Sequence, residues 1–161
     1  MVDTDTNTGA NTGVGASVSA GISGADIRRT AMDLLARREH SYRELIQKLS
    51  LRFVDADLIR KAVDQLRDER LQSDYRFAET YLNSRSQRLF GPQRIKAELR
   101  ERGVADDVVT LVFAEAQIDW SANQLKLLST KFGEQAPVDF AEKAKRLRFL
   151  QYRGFSGGSD W

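Results

Sequence analysis

The sequence predicts an all-α protein built from three tandem three-helix units in an elongated array, with the last unit truncated. Apolar residues recur at helical spacing along most of the chain. A segment of roughly 50 residues also repeats, and helix start and stop signals fall at equivalent places in its copies. Two prolines and few alternating β-branched runs argue against a β-sheet.

The first 25 residues differ in composition from the rest of the chain. They are rich in Thr, Gly, Asn and Ser and contain no Lys or Arg. They lack the basic start and the apolar centre of a signal peptide, so we predict a disordered tail over residues 1–25. Asp3 and Asp5 are its only charges, which leaves 25 basic and 21 acidic residues in the body. This net charge of +4 permits an anionic partner without requiring one.

The repeat is clearest between residues 41–66 and 91–116, which align without a gap at an offset of 50. Apolar residues fall on apolar residues at the spacing i, i+1, i+4, i+5 of an amphipathic helix. The aligned pairs are Leu45 and Ile95, Leu49 and Leu99, Val54 and Val104, Leu58 and Val108, Ile59 and Val109, Ala62 and Val112, and Val63 and Phe113. A third, partial copy covers residues 139–155.

These copies divide the helical body into units. The first helices are predicted at 26–39, 74–89 and 121–132, the second at 42–52, 92–102 and 140–153, and the third at 56–70 and 106–117. The corresponding domains are 26–72, 73–120 and 121–155, followed by a short tail at 156–161. We expect no third helix after Phe155. A unit of about 50 residues has a thin core, and stacking on its neighbours should help to bury it.

Each second helix carries start signals. Ser41 and Glu44 form the S-x-x-E pattern of a capping box, and Asp139 begins a D-x-x-E pattern in the third copy. In the second copy Gly91 occupies the N-cap and Pro92 the first helical position. Proline is favourable there because its fixed φ suits the helix and its missing N–H costs nothing.

Glycines predict where two of these helices end. Gly103 follows the second copy and Gly154 the third, where a Schellman stop takes a left-handed residue. Phe140, Ala144, Leu147 and Leu150 should form the apolar face of the helix before Gly154. The first copy has Phe53 in place of glycine, so its helix must end differently or under strain.

Basic residues concentrate in two segments. Residues 85–104 hold six basic and two acidic residues, and residues 143–153 hold five basic residues and no acid. Each segment can be a solvated helix face, or it can bind acidic protein or phosphate groups. In the second segment Phe149 and Tyr152 can belong to the core or stack on bases.

Some further residues can serve either in packing or in partner contacts, and others are expected to pack. Lys143, Arg146 and Arg153 can share a face opposite Leu147 and Leu150. Phe77 is expected in the core, and Trp120 is expected to pack at a junction between units. Arg76 can anchor a neighbouring helix through an ion pair or can contact a partner.

Several classes of chemistry find little support. The absence of Cys excludes a disulfide framework, and with His40 as the only histidine a transition-metal site is poorly supported. Ser41 has a capping role and no triad partner, while Asp106 and Asp107 suit the start of a helix. The glycine-rich segments lack the G-K-[ST] ending of a P-loop. We therefore predict no catalytic residue, metal or cofactor. No apolar run reaches the roughly 20 residues of a membrane helix, and the absence of Cys fits a reducing compartment, so we predict a cytoplasmic protein.

The motifs in these units resemble the RecX family, the bacterial regulators of the RecA recombinase. The segments that carry the resemblance are AMDLLARREHS at 31–41, SDYRFAETYLNSRSQRLFGPQRIKAELRERGV at 73–104, IDW at 118–120, KFGE at 131–134 and RFLQYRGF at 148–155. The resemblance implies a curved, elongated array of helix-turn-helix-like or winged-helix-like repeats. The family often continues past the RGF motif into a last helix, which we do not find after Phe155.

The resemblance also implies a monomeric regulator without catalytic activity. Such a protein binds RecA and RecA filaments on single-stranded DNA, has weak direct DNA binding, and mainly inhibits ATPase and strand exchange in repair and recombination. The contact candidates here are Arg76, Arg85, Arg88, Arg94, Lys96, Arg100, Arg102, Lys143, Lys145, Arg146, Arg148 and Arg153. Two alternatives stay open: a helical DNA-binding protein that acts without RecA, and an adaptor that sequesters free recombinase.

Overall fold

A computed structural model of the chain describes residues 23–156. These residues form α1 (Gly24–Arg37), α2 (Tyr42–Ser50), α3 (Ala56–Asp68), α4 (Asp74–Gln87), α5 (Pro92–Glu101), α6 (Asp106–Glu115), α7 (Trp120–Phe132) and α8 (Phe140–Arg153). No strand occurs in this range, and each predicted helix is present, which confirms the all-α prediction. Residues 1–22 of the predicted tail and residues 157–161 lie outside the described range.

Helix α1 begins earlier than predicted. Ser23 is its N-cap, and Ser23 and Asp26 form a complete capping box, so residues 23–25 belong to the helix start rather than to a tail. The composition rule failed because Ser and Gly are typical both of tails and of helix caps. None of the helices between residues 23 and 156 is long and apolar enough to span a membrane.

The helices form three separate cores. In unit 1, helices α1–α3 enclose Ile27, Ala31, Leu45, Leu49, Phe53, Ile59, Ala62, Val63 and Leu66. In unit 2, helices α4–α6 enclose Phe77, Ala78, Leu82, Ile95, Leu99, Val104, Val109 and Val112. In unit 3, the apolar core formed by α7, α8 and the turn after them consists of Leu127, Leu128, Leu150 and Phe155. Burying each large apolar side chain stabilises its unit by roughly 1.5–3 kcal/mol.

Both predicted glycine stops are present. Gly103 and Gly154 have φ of 80° and 92°. The Val104 amide donates to the Leu99 carbonyl at 3.1 Å, and the Phe155 amide donates to the Leu150 carbonyl at 2.9 Å, as a Schellman motif requires. Helix α2 ends without such a stop: Leu51 stays right-handed.

Two further helix ends take the left-handed conformation without glycine. Arg70 has φ of 61° and Leu89 has φ of 59°. After each of them a Schellman bond forms, from Leu71 to the Leu66 carbonyl at 2.8 Å and from Phe90 to the Arg85 carbonyl at 3.2 Å. The sequence carries no glycine signal at these ends, so their conformation was not predicted.

Two predicted helix-start and packing details are wrong. The Ser41 hydroxyl accepts from the Glu44 amide as a capping box requires, but the Glu44 carboxylate pairs with Arg38 and Arg102 instead of closing the box. Two cations outcompete a single backbone amide for it. Phe140, placed on the apolar face, is 86% exposed because it stands in the first turn of α8, ahead of Arg146 and Leu150, the buried residues of this helix.

The second helices of successive units meet end to end. At the junction of units 1 and 2, the Ser41 hydroxyl donates to the Arg102 carbonyl at 2.7 Å. At the junction of units 2 and 3, the amides of Gly91 and Gln93 donate to the carbonyls of Arg153 and Gly154 at 2.7 and 3.1 Å. The end of one helix thus supplies carbonyl acceptors to the start of another. The donor is a side-chain hydroxyl at the first junction, and backbone amides at the second.

Candidate partner-binding surface

Glu98 on α5 is the centre of an ion-pair cluster inside unit 2. Its carboxylate accepts from Arg85 on α4, from the Tyr81 hydroxyl at 2.7 Å and from Arg94 at 3.0 Å. Burial by itself would raise the pKa of Glu98, but the hydrogen bonds from Arg85, Tyr81 and Arg94 outweigh it and lower the pKa to about 2. Burial and the bond to Glu98 raise the pKa of Tyr81 to about 12. The cluster therefore fastens α4 to α5 with Glu98 ionised.

Three guanidinium groups surround the ring of Phe90, in the turn between α4 and α5. Arg85, Arg94 and Arg153 lie 3.9, 4.8 and 4.3 Å from the ring centroid. Arg153 comes from the end of α8, so the two basic segments of the sequence meet at this ring. Cation–π contacts favour each approach, but they do not neutralise the positive charge.

Arg153 has no carboxylate partner among residues 23–156. One of its terminal nitrogens donates to the Arg88 carbonyl at 2.9 Å, and its buried Nε has no hydrogen-bond partner. Burial and the nearby charges of Arg94 and Arg85 lower the pKa of Arg153. This guanidinium is held in place by backbone and ring contacts while its charge stays uncompensated.

Arginines at the junction of units 1 and 2 are compensated. Arg102 lies 3.4 Å from Glu44, which also pairs with Arg38 at 3.0 Å. Arg76 on α4 pairs with Glu39 at 2.8 Å and donates to the Leu71 carbonyl at 3.1 Å. Of the two roles considered for Arg76, the structure therefore shows the ion pair that anchors a neighbouring unit.

Two other candidates on or near α5 have partners in unit 2. Arg100 pairs with Asp106 at the start of α6, at 2.5 Å. The Lys96 ammonium lies 4.8 Å from the centre of the Phe113 ring, which stacks on Trp120. Trp120 packs against the cores of both unit 2 and unit 3, as predicted.

Helix α8 separates its basic residues into buried and exposed groups. Arg146 was predicted on an exposed face with Lys143 and Arg153, but it is only 4% exposed. It donates to Glu142 at 2.6 Å and to the Gln135 carbonyl at 2.7 Å. It points inward because it tethers the loop before α8, which spacing along the sequence does not reveal.

The remaining basic residues of α8 lie at the surface. Lys143, Lys145 and Arg148 are exposed, and no ion pair involves them within residues 23–156. Tyr152 is 72% exposed, while Phe149 is half-buried and packs edge-on against Phe132. Tyr152 thus keeps the stacking role open, whereas Phe149 belongs to the core of unit 3.

His40 and the acidic residues form no metal site in the described range. His40 is buried, its Nδ1 lies 3.0 Å from the Arg38 carbonyl, and burial lowers its pKa. Between residues 23 and 156 no group of three or more His, Asp or Glu side chains is arranged to hold a metal ion.

The residue that sequence reasoning missed is Phe90. The prediction treated the two basic segments separately, whereas the structure gathers cations from α4, α5 and α8 around this ring. The repeat did carry a signal that this region is more positive than its counterpart in the first copy. At the offset of 50 residues, Arg94 occupies the position that Glu44 has in the first copy.

Comparisons with known proteins agree with this architecture. Three family models match the chain: the first three-helix domain of RecX over residues 28–66, the second over 73–112 and the third over 125–158. The regulatory protein RecX of Pseudomonas fluorescens (strain SBW25) is 43% identical over 130 residues, which cover 81% of this chain and 84% of that protein. The regulatory protein RecX of Halorhodospira halophila (strain DSM 244 / SL1) is 42% identical over 136 residues, 84% of each chain.

Solved structures show the same fold. A crystal structure of regulatory protein RecX superposes with a TM-score of 0.68 at 21% identity, over 86% of this chain and 71% of that one. A crystal structure of RecX from Lactobacillus salivarius gives a TM-score of 0.69 at 20% identity, over 83% of this chain and 88% of that one.

Proposed function

This chain belongs to the RecX family, and from that premise we propose that it binds RecA and RecA filaments on single-stranded DNA and restrains the recombinase. The resemblance supplies the partner, and the relatives are named regulatory proteins. The protein acts by binding, without a catalytic step of its own.

The observation that carries the proposal is that the basic residues fall into two sets, one paired within the chain and one exposed and outside any ion pair in the described range. Most arginines of units 1 and 2 are occupied by carboxylates or carbonyls within the chain. Lys143, Lys145 and Arg148 on α8 are exposed and outside any ion pair in the described range, and Arg88 is exposed at the end of α4. Cations that the fold does not use for itself are available to an acidic protein surface or to phosphates.

The mechanism follows from end-to-end joining of the units. A body whose second helices are linked end to end by hydrogen bonds, from a side-chain hydroxyl at one junction and from backbone amides at the other, holds its binding groups at fixed spacing. Several weak contacts along a polymer then add through effective concentration. A filament with this body bound across its protomers cannot change pitch freely, so ATP turnover and strand exchange slow.

The direct test is RecA ATPase activity on single-stranded DNA with the full chain titrated in. We expect turnover to fall towards a plateau as the filament saturates. Unchanged turnover at saturating protein would reject the proposal.

Matched variants separate the proposed surface from net charge. Lys143→Gln, Lys145→Gln and Arg148→Gln together should raise the protein concentration needed for half-inhibition severalfold. Arg37→Gln, Lys48→Gln and Lys61→Gln remove the same charge from exposed positions of unit 1 and should leave it nearly unchanged. Equal effects of the two triple variants would mean that only the overall charge matters.

A second candidate function is direct DNA binding without RecA. The exposed Tyr152 ring beside Arg94 favours it, since aromatic rings next to cations are typical of single-strand binding surfaces. It predicts that naked DNA binds as tightly as the nucleoprotein filament does. Much weaker binding to naked DNA would leave filament regulation as the function.

A further inference from the structure

The second helices of the three units form a series with a direction. At each junction the carbonyl end of one second helix meets the start of the second helix before it. Helix α5 meets α2 where Ser41 donates to the Arg102 carbonyl, and α8 meets α5 where Gly91 donates to the Arg153 carbonyl. Within residues 23–156, the carbonyl end of α2 and the start of α8 are therefore left over at the two ends of this series.

Exposed apolar side chains concentrate at these two ends. Leu51 and Val54, which follow α2, are 89% and 94% exposed, and Val138 and Phe140, on either side of the N-cap of α8, are each 86% exposed. They are the four most exposed large apolar side chains among the described residues, and none of them belongs to the buried core of its unit. Paired apolar groups that the fold does not use for its core are typical of an interaction surface.

The exposure of Val54 follows from the way in which α2 ends. In unit 2 the left-handed Gly103 turns the chain so that Val104, the counterpart of Val54, is buried in the core. Unit 1 lacks this glycine. Its Phe53 amide donates to the Leu49 carbonyl at 2.9 Å, and Phe53 fills the core one residue earlier. The core of unit 1 therefore does not require an apolar residue at position 54.

The two ends also differ in the sign of their charge. Lys48 lies in the last turn of α2 and Arg52 follows this helix, whereas Asp139 is the N-cap of α8 and Glu142 lies in its first turn. Asp55, the acidic residue next to Val54, already accepts from two amides at the start of α3. A basic end that faces an acidic end is favourable, while two copies of the same end placed together would bring like charges close.

We infer that two copies of this chain associate head to tail, with the carbonyl end of α2 in one copy docked against the start of α8 in the other. Leu51 and Val54 of the first copy then lie against Val138 and Phe140 of the second. The contact follows the direction of the two junctions within the chain, so it continues the series of second helices from one copy to the next. Because it joins two different surfaces, each copy keeps one end open for a further copy.

This contact should be weak. Two apolar side chains from each copy cover much less surface than a stable protein–protein interface buries. The N-cap of α8 is Asp139, so the contact depends on side chains and not on the close backbone approach seen at Gly91. Monomers should predominate at low concentration, and association should become significant where copies are concentrated. The inference goes beyond the proposed function, since it requires neither RecA nor nucleic acid.

The first test uses introduced cysteines, because the chain has none of its own. Full-length Val54→Cys and Phe140→Cys are mixed in equal amounts and oxidised, and the disulfide-linked dimers are identified by mass spectrometry. Mixed dimers should form severalfold faster than the symmetric dimers of either variant. The matched control is Leu111→Cys mixed with Phe140→Cys, since Leu111 is an exposed apolar residue on α6, away from both ends of the series. This control mixture should show only the slow rate of random collisions.

The second test blocks one end at a time and measures mass by sedimentation. Leu51→Gln with Val54→Gln blocks the α2 end, and Val138→Gln with Phe140→Gln blocks the α8 end. All four positions are exposed, so the melting temperature should stay close to that of the wild type. The average mass of the wild type should rise steadily with concentration, and each blocked variant alone should stay monomeric. A mixture of the two has one intact end of each kind and should form one-to-one dimers and nothing larger.

Three results would overturn the inference. These are equal cross-linking in the test and control mixtures, a wild-type mass that stays constant up to millimolar concentration, and a predominance of symmetric dimers, which would indicate contact between identical ends. Inhibition of the RecA ATPase is a separate measurement. If it persists while self-association is absent, the inference fails and the proposed function stands. If self-association occurs without inhibition, the reverse holds.

Discussion

Glu98 shows at the residue scale how a single carboxylate can organise two helices. Lying within the cluster of Arg85, Arg94 and Tyr81, it is stabilised as an anion, and its low pKa expresses that stabilisation. Removing its charge leaves partly buried guanidinium groups without a partner, which is costlier than losing an exposed ion pair.

Glu98→Gln should lower the free energy of unfolding at pH 7 by about 2–3 kcal/mol. A folded-state pKa of about 2 lies below the ordinary value of 4.5, so this stability is present above pH 4.5 and is lost as the pH falls towards 2. The difference between wild type and variant should therefore shrink to less than half by pH 3, in urea titrations at both pH values. Glu101→Gln, an exposed change on the same helix, should have little effect at either pH. A difference independent of pH would contradict the assignment.

The left-handed backbone conformation of Arg70, which is not a glycine, should have a measurable cost in stability. It adopts a left-handed φ of 61° at an exposed helix end, where glycine is the least strained residue. Arg70→Gly should raise the free energy of unfolding by about 0.5–1 kcal/mol, measured by chemical denaturation. Gln65→Gly, in the exposed interior of α3, should lower it by about 1 kcal/mol. Destabilisation by Arg70→Gly would mean that the contacts of the arginine side chain stabilise the fold by more than its left-handed backbone destabilises it.

At the scale of elements, the end-to-end contact of α5 and α8 depends on the absence of a side chain. A Cβ on Gly91 would collide with the backbone of Gly154 and Phe155, although the φ of Gly91, −82°, suits any residue. The glycine is therefore required by close approach, a different reason from the left-handed conformation of Gly103 and Gly154.

Gly91→Ala should destabilise the chain by roughly 3 kcal/mol, because backbone atoms must move to admit the methyl group. Gly24→Ala is the control: open space surrounds it and its φ is not positive, so little effect is expected. Thermal unfolding of both variants tests this order. Equal effects of Gly91→Ala and Gly24→Ala would disprove the close contact.

At the scale of the whole molecule, the three cores differ in size. Among the described residues, the apolar core of unit 3 has four buried residues and that of unit 1 has nine. Burial of apolar surface therefore opposes local opening less strongly in unit 3 than in unit 1. Much of its stability must come from its contacts with unit 2 through Trp120, Phe155 and Arg153.

Native-state hydrogen exchange should reveal this gradient. Amides in α7 should exchange at least tenfold faster than those in α3, since α7 packs on the smallest core and has no third helix beside it in the described range. Equal protection of α3 and α7 would show that the chain opens as one cooperative body.

The helical repeat could be predicted at this scale because local signals agree with each other. Leu45, Ile95 and their neighbours repeat at one offset, and Gly103 and Gly154 mark equivalent helix ends. The candidate surface was less predictable. Arg146 and Lys143 lie three residues apart on the same helix, yet Arg146 is buried beside the Gln135 carbonyl and Lys143 is exposed.

The sequence by itself determined the all-α class, the approximate helix positions and the repeat, because these depend on periodicity and capping within short segments; its motifs carried the resemblance to RecX. Only the tertiary structure decided which cations stay available. Ion pairs such as those of Arg85 and Arg102, and the gathering of three guanidinium groups around Phe90, join residues far apart along the chain. Their energies depend on distance in space, which no local pattern encodes.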